Sequence, residues 1–339
     1  MKSRMGIVVA LCALVAFPAG VPDASAQGSF YAGKTVIIVV GYKPGGGYDQ
    51  IARIVARHLP KHIPGKPTII IQNMPGANSL IAANHLYSVA KPDGLTLGTF
   101  NRNLPIAQLT KVDGVNFDLR RFAWIGSAAS ESIVLAVRSD LPYATFDGLR
   151  KAGTPLVVGA TGPGASSYDF PLLLKEILGL NVKIVSGYSS SADVMLAIER
   201  KEVDARAASY SSVRPFIERG LVRPLIRGRA SEPGIEKLPV DEDLAPTKRA
   251  KAIMGLRSAP EVIGRPYVMP PGAPEERVAI MREAFRKMAA DPELIEESRK
   301  TKIKITYIPG GEALAIIEEI LSQPKDVVEE FSRYITFGE

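Results

Sequence analysis

The chain is 339 residues long, 46% hydrophobic and 23% charged. This is a globular balance that excludes disordered, collagen-like and coiled-coil proteins and leaves room for two domains. A single cysteine, Cys12, and three histidines, His58, His62 and His85, argue against thiolate catalysis, cysteine-ligated zinc, iron–sulfur chemistry and a histidine-rich metal site. The formal net charge of +7 favours an anionic partner, but over this length it does not point to nucleic acid, and none is expected.

The N-terminus reads as a secretion address. Lys2 and Arg4 precede an apolar stretch, Gly6 to Phe17, that is too short to span a bilayer as a helix. Ala24-Ser25-Ala26 then supplies the small residues of a cleavage site, so cleavage is expected before Gln27. Removing Lys2, Arg4 and Asp23 with residues 1–26 leaves an exported, cysteine-free chain of net charge +6, periplasmic in a Gram-negative host.

Short apolar runs then alternate with helical patterns. Thr35–Val40, a continuous β-branched run, predicts a strand buried on both faces. Tyr48–His62 predicts a helix, with Ile51, Ile54, Val55 and Leu59 on one face. Thr68–Gln72 and Leu95–Phe100 read as strands on either side of a helix at Ser79–Ala90. A second unit repeats the pattern, with strands at Ile133–Val137, Leu156–Ala160, Val182–Val185 and Val203–Ala208. Its helices are Phe146–Lys151, Asp169–Leu178 and Ala192–Lys201. Gly228–Pro260, rich in charge and proline, reads as an irregular surface excursion. Beyond it come a strand at Arg265–Met269, a long helix at Glu275–Ala290, a strand-like run at Ile303–Ile308, and helices at Gly311–Leu321 and Asp326–Tyr334. This tail is too small to stand alone and is expected to complete the first sheet. The expected fold is α/β with two domains, 27–130 plus 265–339 and 131–264, each a mostly parallel sheet flanked by helices and joined by two crossovers.

Two loops carry the chemistry. Gly41-Tyr42-Lys43-Pro44-Gly45-Gly46-Gly47-Tyr48-Asp49 links the first strand to the first helix. Its glycines expose backbone N–H groups beside a helix N-terminus, an arrangement that receives an anion. Asp49 would repel an anion and fits as a helix cap or first-turn acid paired with Arg53. In the second unit, Thr161-Gly162-Pro163-Gly164-Ala165-Ser166-Ser167 brings amides and hydroxyls to another helix start. It is not a phosphate loop, because Ala165 stands where lysine is needed. In open α/β sheets ligands bind beyond the carboxyl ends of the strands, so two such loops can face one cleft and close around one ligand. Arg206 stands in an apolar strand, placed either to hold a ligand carboxylate through its planar fork or to pair with Asp193 or Glu202. No G-x-S-x-G or H-E-x-x-H occurs. His58 and His62 are separated by Pro60 with no acid beside them in sequence, and Trp124 reads as packing. No catalytic residue, metal or cofactor is expected.

In this order the motifs resemble the solute-binding receptors of tripartite tricarboxylate transporters, the TctC or Bug family. The glycine loop matches P-G-G-x-x-D. Asn73-Met74-Pro75-Gly76-Ala77 matches N-x-P-G-A, and Ala90-Lys91-Pro92-Asp93-Gly94-Leu95-Thr96 matches A-x-P-D-G-x-T. A Tyr ahead of a Val-Asp pair appears as Tyr188 and Val203-Asp204, and Pro270-Pro271-Gly272-Ala273-Pro274 precedes a long helix. The resemblance implies a type II periplasmic binding protein, a Venus flytrap. It implies a non-catalytic receptor that captures a di-, tri- or aromatic carboxylate and delivers it, as a monomer, to the membrane permease subunits. Tyr42, Gly46, Gly47, Tyr48 and Asp49 would form one jaw and Gly164, Ala165, Ser166 and Ser167 the other, with Asn78, Tyr188, Ser189, Ser190 and Ser191 lining the distal side. The chain departs from the pattern at Lys43 (usually Pro), at Asn78-Ser79 (usually Gly-Gly), at Arg200-Lys201 (usually glycines), at Tyr168-Asp169 (where His is common) and at Arg206 (usually apolar). Lys43, Asn78 and Arg206 suit a more anionic or polar ligand. The competing readings are a flytrap receptor for an amino acid or another anion, a ligand sensor for a two-component system, and a secreted hydrolase.

Overall fold

The computed structural model describes residues 30–335 apart from 164, 189, 190, 302 and 304, so the expected signal segment lies outside the described residues. The chain begins with β1 (Thr35–Val40), α1 (Gly47–His58), β2 (Thr68–Asn73), α2 (Leu80–Ser88), β3 (Thr96–Thr99), α3 (Leu104–Leu109) and β4 (Ala123–Ser127). It crosses over to β5 (Ile133–Arg138), α4 (Phe146–Arg150), β6 (Leu156–Gly159), α5 (Ser166–Leu178), β7 (Val182–Val185), α6 (Ser191–Glu199), β8 (Ala205–Ser209), α7 (Tyr210–Glu218), β9 (Val222–Arg227) and α8 (Lys248–Ile263). It returns through β10 (Pro266–Met269), α9 (Glu275–Ala289), α10 (Pro292–Thr301), β11 (Ile308–Pro309), α11 (Gly310–Leu321) and α12 (Lys325–Tyr334).

Two sheets result, ordered β11-β4-β10-β3-β1-β2 and β7-β6-β8-β5-β9. Both are mixed. β1 pairs in parallel with β2 and β3, while β10 and β11 join antiparallel. β6 pairs in parallel with β7 and β8, while β5 runs antiparallel to β8 and β9. The mostly parallel expectation therefore holds for the three-stranded group that carries a loop-to-helix turn in each sheet. The antiparallel remainder is built from strands brought in by the crossovers.

The alternation in β1 divides the core. Val36, Ile38 and Val40 pack with Ile51, Ile54 and Val55 of α1 and with Val278, Met281 and Phe285 of α9. Val39 faces a second core with Leu80 and Leu86 of α2, Trp124 of β4, and Ala313 and Ile317 of α11. Trp124 donates its indole N–H to the Leu119 carbonyl at 2.8 Å, which satisfies its polar atom inside this packing. The second core runs on into the second sheet through Leu135, Phe170, Leu173 and Met254, and Phe331 of α12 belongs to it. The terminal helices thus pack across both units rather than on the first alone.

Some elements differ from expectation. The first helix stops at His58 and continues as a 3-10 turn, Leu59–His62. Pro60 lacks an N–H and its ring blocks another α turn. The Gly228–Pro260 excursion contains all but the last three residues of α8, most of whose middle and end is buried. Its apolar residues Ile253, Met254, Leu256, Ala259 and Ile263 were masked by the lysines and arginine of its first turn and by Pro260 inside the helix. β4, β9, α3, α7 and α10 were not foreseen.

The two crossovers hold each other. Arg265 N donates to Ala129 O and Ala128 N to Arg265 O, both at 3.0 Å, and Glu131 N donates to Glu261 O at 3.0 Å. Gly264, at φ +58°, brings one crossover so close to the other that a Cβ would collide with the Ala129 carbonyl. Gly179 also has a positive φ, +68°, but has open space around its missing Cβ. Gly264→Ala is therefore expected to cost at least about 2 kcal/mol, and Gly179→Ala about 1 kcal/mol. Denaturant midpoints of the two variants check the difference.

Candidate functional site

Beyond the carboxyl end of β1, the glycine loop is organised by Asp49. Its carboxylate accepts from Gly45 N at 2.8 Å, from Arg53 Nε at 2.8 Å and Nη2 at 3.0 Å, and from Asn73 Nδ2 at 3.0 Å. Gln50 N donates to Gly46 O at 2.9 Å. Arg53 leads the groups that hold the Asp49 carboxyl down at about 2, against a smaller opposing effect of burial. Asp49 is buried and does not line the cavity described below. In this structure Asp49 braces the loop from behind rather than facing the cavity.

That loop forms one wall of a cavity of about 720 Å³. Tyr42, Gly46, Gly47, Tyr48 and Asn78, all expected from sequence, line it together. Tyr42 stacks on Tyr48 with ring centroids 4.5 Å apart, and Arg265 lies over the Tyr48 ring at 3.9 Å. Burial pushes the Tyr42 phenol above its ordinary range. The Tyr48 hydroxyl accepts from Arg102 N at 2.9 Å and reaches Gly264 O at 3.4 Å. One aromatic side chain at the start of α1 is thus bonded both to the loop after β3 and to the returning crossover.

Sequence reasoning missed Arg102, Glu131 and Arg265, which also line this cavity. Arg102 Nη1 meets Glu131 Oε2 at 2.6 Å, Arg265 Nη2 bonds Glu131 Oε1, and Ser209 Oγ donates to Oε2 at 3.1 Å. Burial alone would raise the Glu131 carboxyl, but Arg102 and Arg265 outweigh it and hold it at about 2. One signal was available: Asn101-Arg102-Asn103 is a polar triplet at the carboxyl end of a parallel strand, where ligands bind. Glu131 and Arg265 gave none, because each is an isolated charge among small and apolar residues.

The second loop stands apart. Gly164, Ser189 and Ser190 lie outside the described residues. Ala165 precedes α5, and its carbonyl accepts from Tyr168 N at 2.8 Å and Asp169 N at 2.9 Å. This leaves the amides of Ser166 and Ser167 without intrahelical acceptors. Ser167 Oγ turns back to Thr161, accepting from its N at 3.2 Å and lying 3.1 Å from its Oγ1. Ser166 lines a separate, small cavity with Asp169, Arg257 and Glu261, into which Arg102 and Asn103 also extend. Among the described residues, the two loops are connected through Arg102 and Asn103 and do not share a single wall. Tyr188 N bonds Ala160 O at 3.3 Å, and Tyr188 is partly buried beside the core under α6. Arg206 is buried in β8, its Nη1 donating to Ser191 O at 2.7 Å. Metal-type donors gather elsewhere, at His58, Asp291 and Glu293. There the Lys61 ammonium already bridges the two acids at 2.6 and 2.8 Å.

Two mixed sheets joined by paired crossovers, with a cavity at the carboxyl ends of the parallel strands, define a two-domain binding protein. The model of the tripartite tricarboxylate transporter family receptor matches residues 51–332, and the chain belongs to that family. A Cupriavidus necator relative, described as UPF0065 protein in gbd 5'region, is 26% identical, covering 96% of this chain and 95% of its own. Among solved structures, a TctC solute-binding protein from Polaromonas superposes with a TM-score of 0.70 at 20% identity, covering 88% of this chain and 99% of its own. MatC from Rhodopseudomonas palustris, with bound malate, has a TM-score of 0.59 at 22% identity, covering 87% of this chain and 99% of its own. No helix among the described residues is long and apolar enough to cross a membrane.

Two predictions follow from the loops. The Asp49 carboxyl ionises lower in the folded chain than its ordinary 3.8, so its stabilisation is complete above about pH 4 and is lost as pH falls toward 2. Asp49→Asn should cost about 1 kcal/mol at neutral pH, Arg53 being half exposed. It should also flatten the loss of stability between pH 4 and 2, read from urea midpoints across that range. The second concerns Ala77, Asn78 and Ser79, which have φ of 43°, 50° and 77° in succession. Such left-handed backbone costs a side-chain-bearing residue about 1 kcal/mol or more, which is the physical reason for Gly-Gly in the resembling pattern. Asn78→Gly should raise the thermal midpoint and, by removing a cavity-lining amide, weaken ligand binding. A variant that gains stability with full affinity would remove Asn78 from the site.

Proposed function

We propose that this chain is a periplasmic, non-catalytic receptor that captures a small carboxylate between its two domains and delivers it to the permease of a tripartite tricarboxylate transporter. The observation that carries the reading is the cavity wall. Lys43, Arg102 and Arg265 stand there against one acid, Glu131, beside a glycine loop and the N-terminus of α1, where backbone donors favour an anion. Family membership and the malate in a neighbour of the same fold support a carboxylate over other anions. The second loop, Ala165 to Ser167, serves as the opposing jaw, and domain closure brings it to the ligand. The N-terminal basic and apolar segment with Ala24-Ser25-Ala26 supports export, and a mature chain beginning at Gln27 is the corresponding mass-spectrometric expectation.

A hydrolase is the weaker reading. No His or Cys stands among the described residues lining the cavity, and the hydroxyl of Ser79 donates to Gly41 O at 3.0 Å rather than to a base. The test is a thermal-shift screen of the mature chain against mono-, di-, tri- and aromatic carboxylates, amino acids, sugars and phosphate. A ligand at about a hundredfold above its Kd adds about 2.7 kcal/mol of stability. A carboxylate-selective rise in midpoint with no change in the carboxylate itself is expected, together with loss of its uptake in a deletion strain. A response to another class alone overturns the carboxylate assignment, and turnover overturns the receptor.

A further inference from the structure

The second crossover carries a buried acid that the proposed ligand site does not use. Glu261, near the end of α8, is 2% exposed, and Asp241, which opens the 3-10 turn Asp241–Leu244, is fully buried. Both meet one guanidinium. Arg257 Nη2 donates to Asp241 Oδ2 at 2.7 Å, and its Nη1 donates to Glu261 Oε1. The Phe170 ring covers Arg257 at 4.2 Å, and Gly228 passes so close that a Cβ there would meet the Glu261 carboxylate. Two carboxylates thus share one cation, and with both ionised a negative charge is left over in a place poor in water.

The charged groups that face Glu261 come from several elements. Arg257 stands on its own helix, Asp241 on the 3-10 turn, and Arg102 on the loop after β3. Asp169 of α5 lines the same small cavity, where α12 brings only the Phe331 ring. Glu242 adjoins Asp241 and is paired with Arg229. Burial pushes the Glu261 carboxyl up to about 7; Arg257 and Arg102 oppose the rise and Asp241 adds to it. Burial raises the Asp241 carboxyl as well. The two acids titrate as a coupled pair, and Glu261, which lines the cavity while Asp241 does not, is the one that a proton from solvent can reach.

Glu261 is also a hinge residue. Glu131 N of the first crossover donates to Glu261 O at 3.0 Å, and Ile133 N, where that crossover enters β5, donates to Glu261 Oε2 at 3.3 Å. The carboxyl faces a cavity of about 30 Å³, about the room of one water. Arg102 and Asn103 of the first domain stand on one side of it and Ser166 and Asp169 of the second on the other. Movement of the domains therefore changes the water around this carboxyl. Parting them wets the cavity and favours the charged form, whereas closing them dries it and favours the neutral form.

We propose that the Asp241–Arg257–Glu261 group is a proton switch on the hinge, in which protonation of Glu261 draws the two domains together and loss of the proton lets them part. By linkage, closure around a ligand takes up a proton, so cargo is held more tightly in acid than in alkali. The inference takes domain closure from the reading above, and its test needs no ligand.

The chain from Gln27 onward has no cysteine. Lys91→Cys and Lys183→Cys, at exposed positions of the first and second domains, therefore place a fluorophore pair for single-molecule energy transfer between pH 5.5 and 8.5. With Glu261 in place, the closed fraction should fall as pH rises through about 7. A one-unit difference in the ionisation of Glu261 between open and closed forms changes their ratio about tenfold. Glu261→Gln, always neutral, should be as closed at pH 8.5 as at pH 5.5. Asp241→Asn leaves Arg257 to Glu261 alone and should move the midpoint to lower pH, which serves if the Gln variant does not fold. Comparison with these variants also separates the group from His58 and His62, whose acids lie within the first domain. Distances that do not respond to pH overturn the inference, as does a Glu261→Gln or Asp241→Asn chain that follows the parent; each leaves the carboxylate receptor standing. A chain whose distances follow pH as stated but which answers no carboxylate in the thermal screen keeps the switch and overturns the receptor reading.

Discussion

The Glu131 carboxylate is the constraint on which the two-domain arrangement turns. It sits on the first crossover and bonds Arg265 of the second, Arg102 from the loop after β3, and Ser209 at the end of β8. One buried acid thus gathers both crossovers and both sheets. The arginines would be costly in the same place alone: breaking a buried pair by removing one partner typically costs about 3–5 kcal/mol. The glutamate would be equally stranded without them. The group is stable only when complete, which fixes where the second sheet hangs on the first.

The same group sets what the cavity offers a ligand. Glu131 draws on Arg102 and Arg265 from one side, so their charge reaches the cavity partly answered. What is left is a wall that is positive without holding a bare arginine, with backbone donors of the glycine loop alongside. Tyr48 ties this electrostatic centre to the loop. Its ring lies under Arg265 and against Tyr42, and its hydroxyl meets Arg102 N and Gly264 O. A ligand that shifts the loop therefore pushes on the returning crossover through one rigid ring.

How much of this was legible in the sequence depended on whether a feature was local. The β-branched run at Thr35–Val40, the glycine loop and the helix behind it follow from periodicity and turn chemistry within a few residues, and the structure has them nearly where expected. Asp49 was read as a helix cap or first-turn acid paired with Arg53; the first-turn place and the pair are there, while Gly46 takes the cap position. By contrast, α8 was missed because its burial comes from α11 and α12, far along the chain, while its own first turn is basic. The Arg102, Glu131 and Arg265 group was invisible for the same reason. Apart from the polar triplet around Arg102, nothing marks these residues where they stand in sequence, and only the crossing of two connections brings them together. His58 and His62 show the same limit: the acids they lacked in sequence, Glu297 and Asp291, arrive from α10 and its approach, both at 2.7 Å.

Departures from the resembling pattern carry different physical weight. Asn78 and Ser79 occupy backbone conformations that glycine adopts freely, and Ser79 is held there by its bond to Gly41 O. Lys43 lies on the exposed lip of the cavity, where water screens it and substitution is cheap. Arg206 is buried, so the fold bears its cost in every molecule whether or not ligand is present. Strain and buried charge are retained at sites where the surrounding structure, or a ligand, gives something in return. The left-handed segment has its return in the chain itself, in the hydroxyl that ties it to β1. Among the described residues, Arg206 has its return in the Ser191 carbonyl at the start of α6.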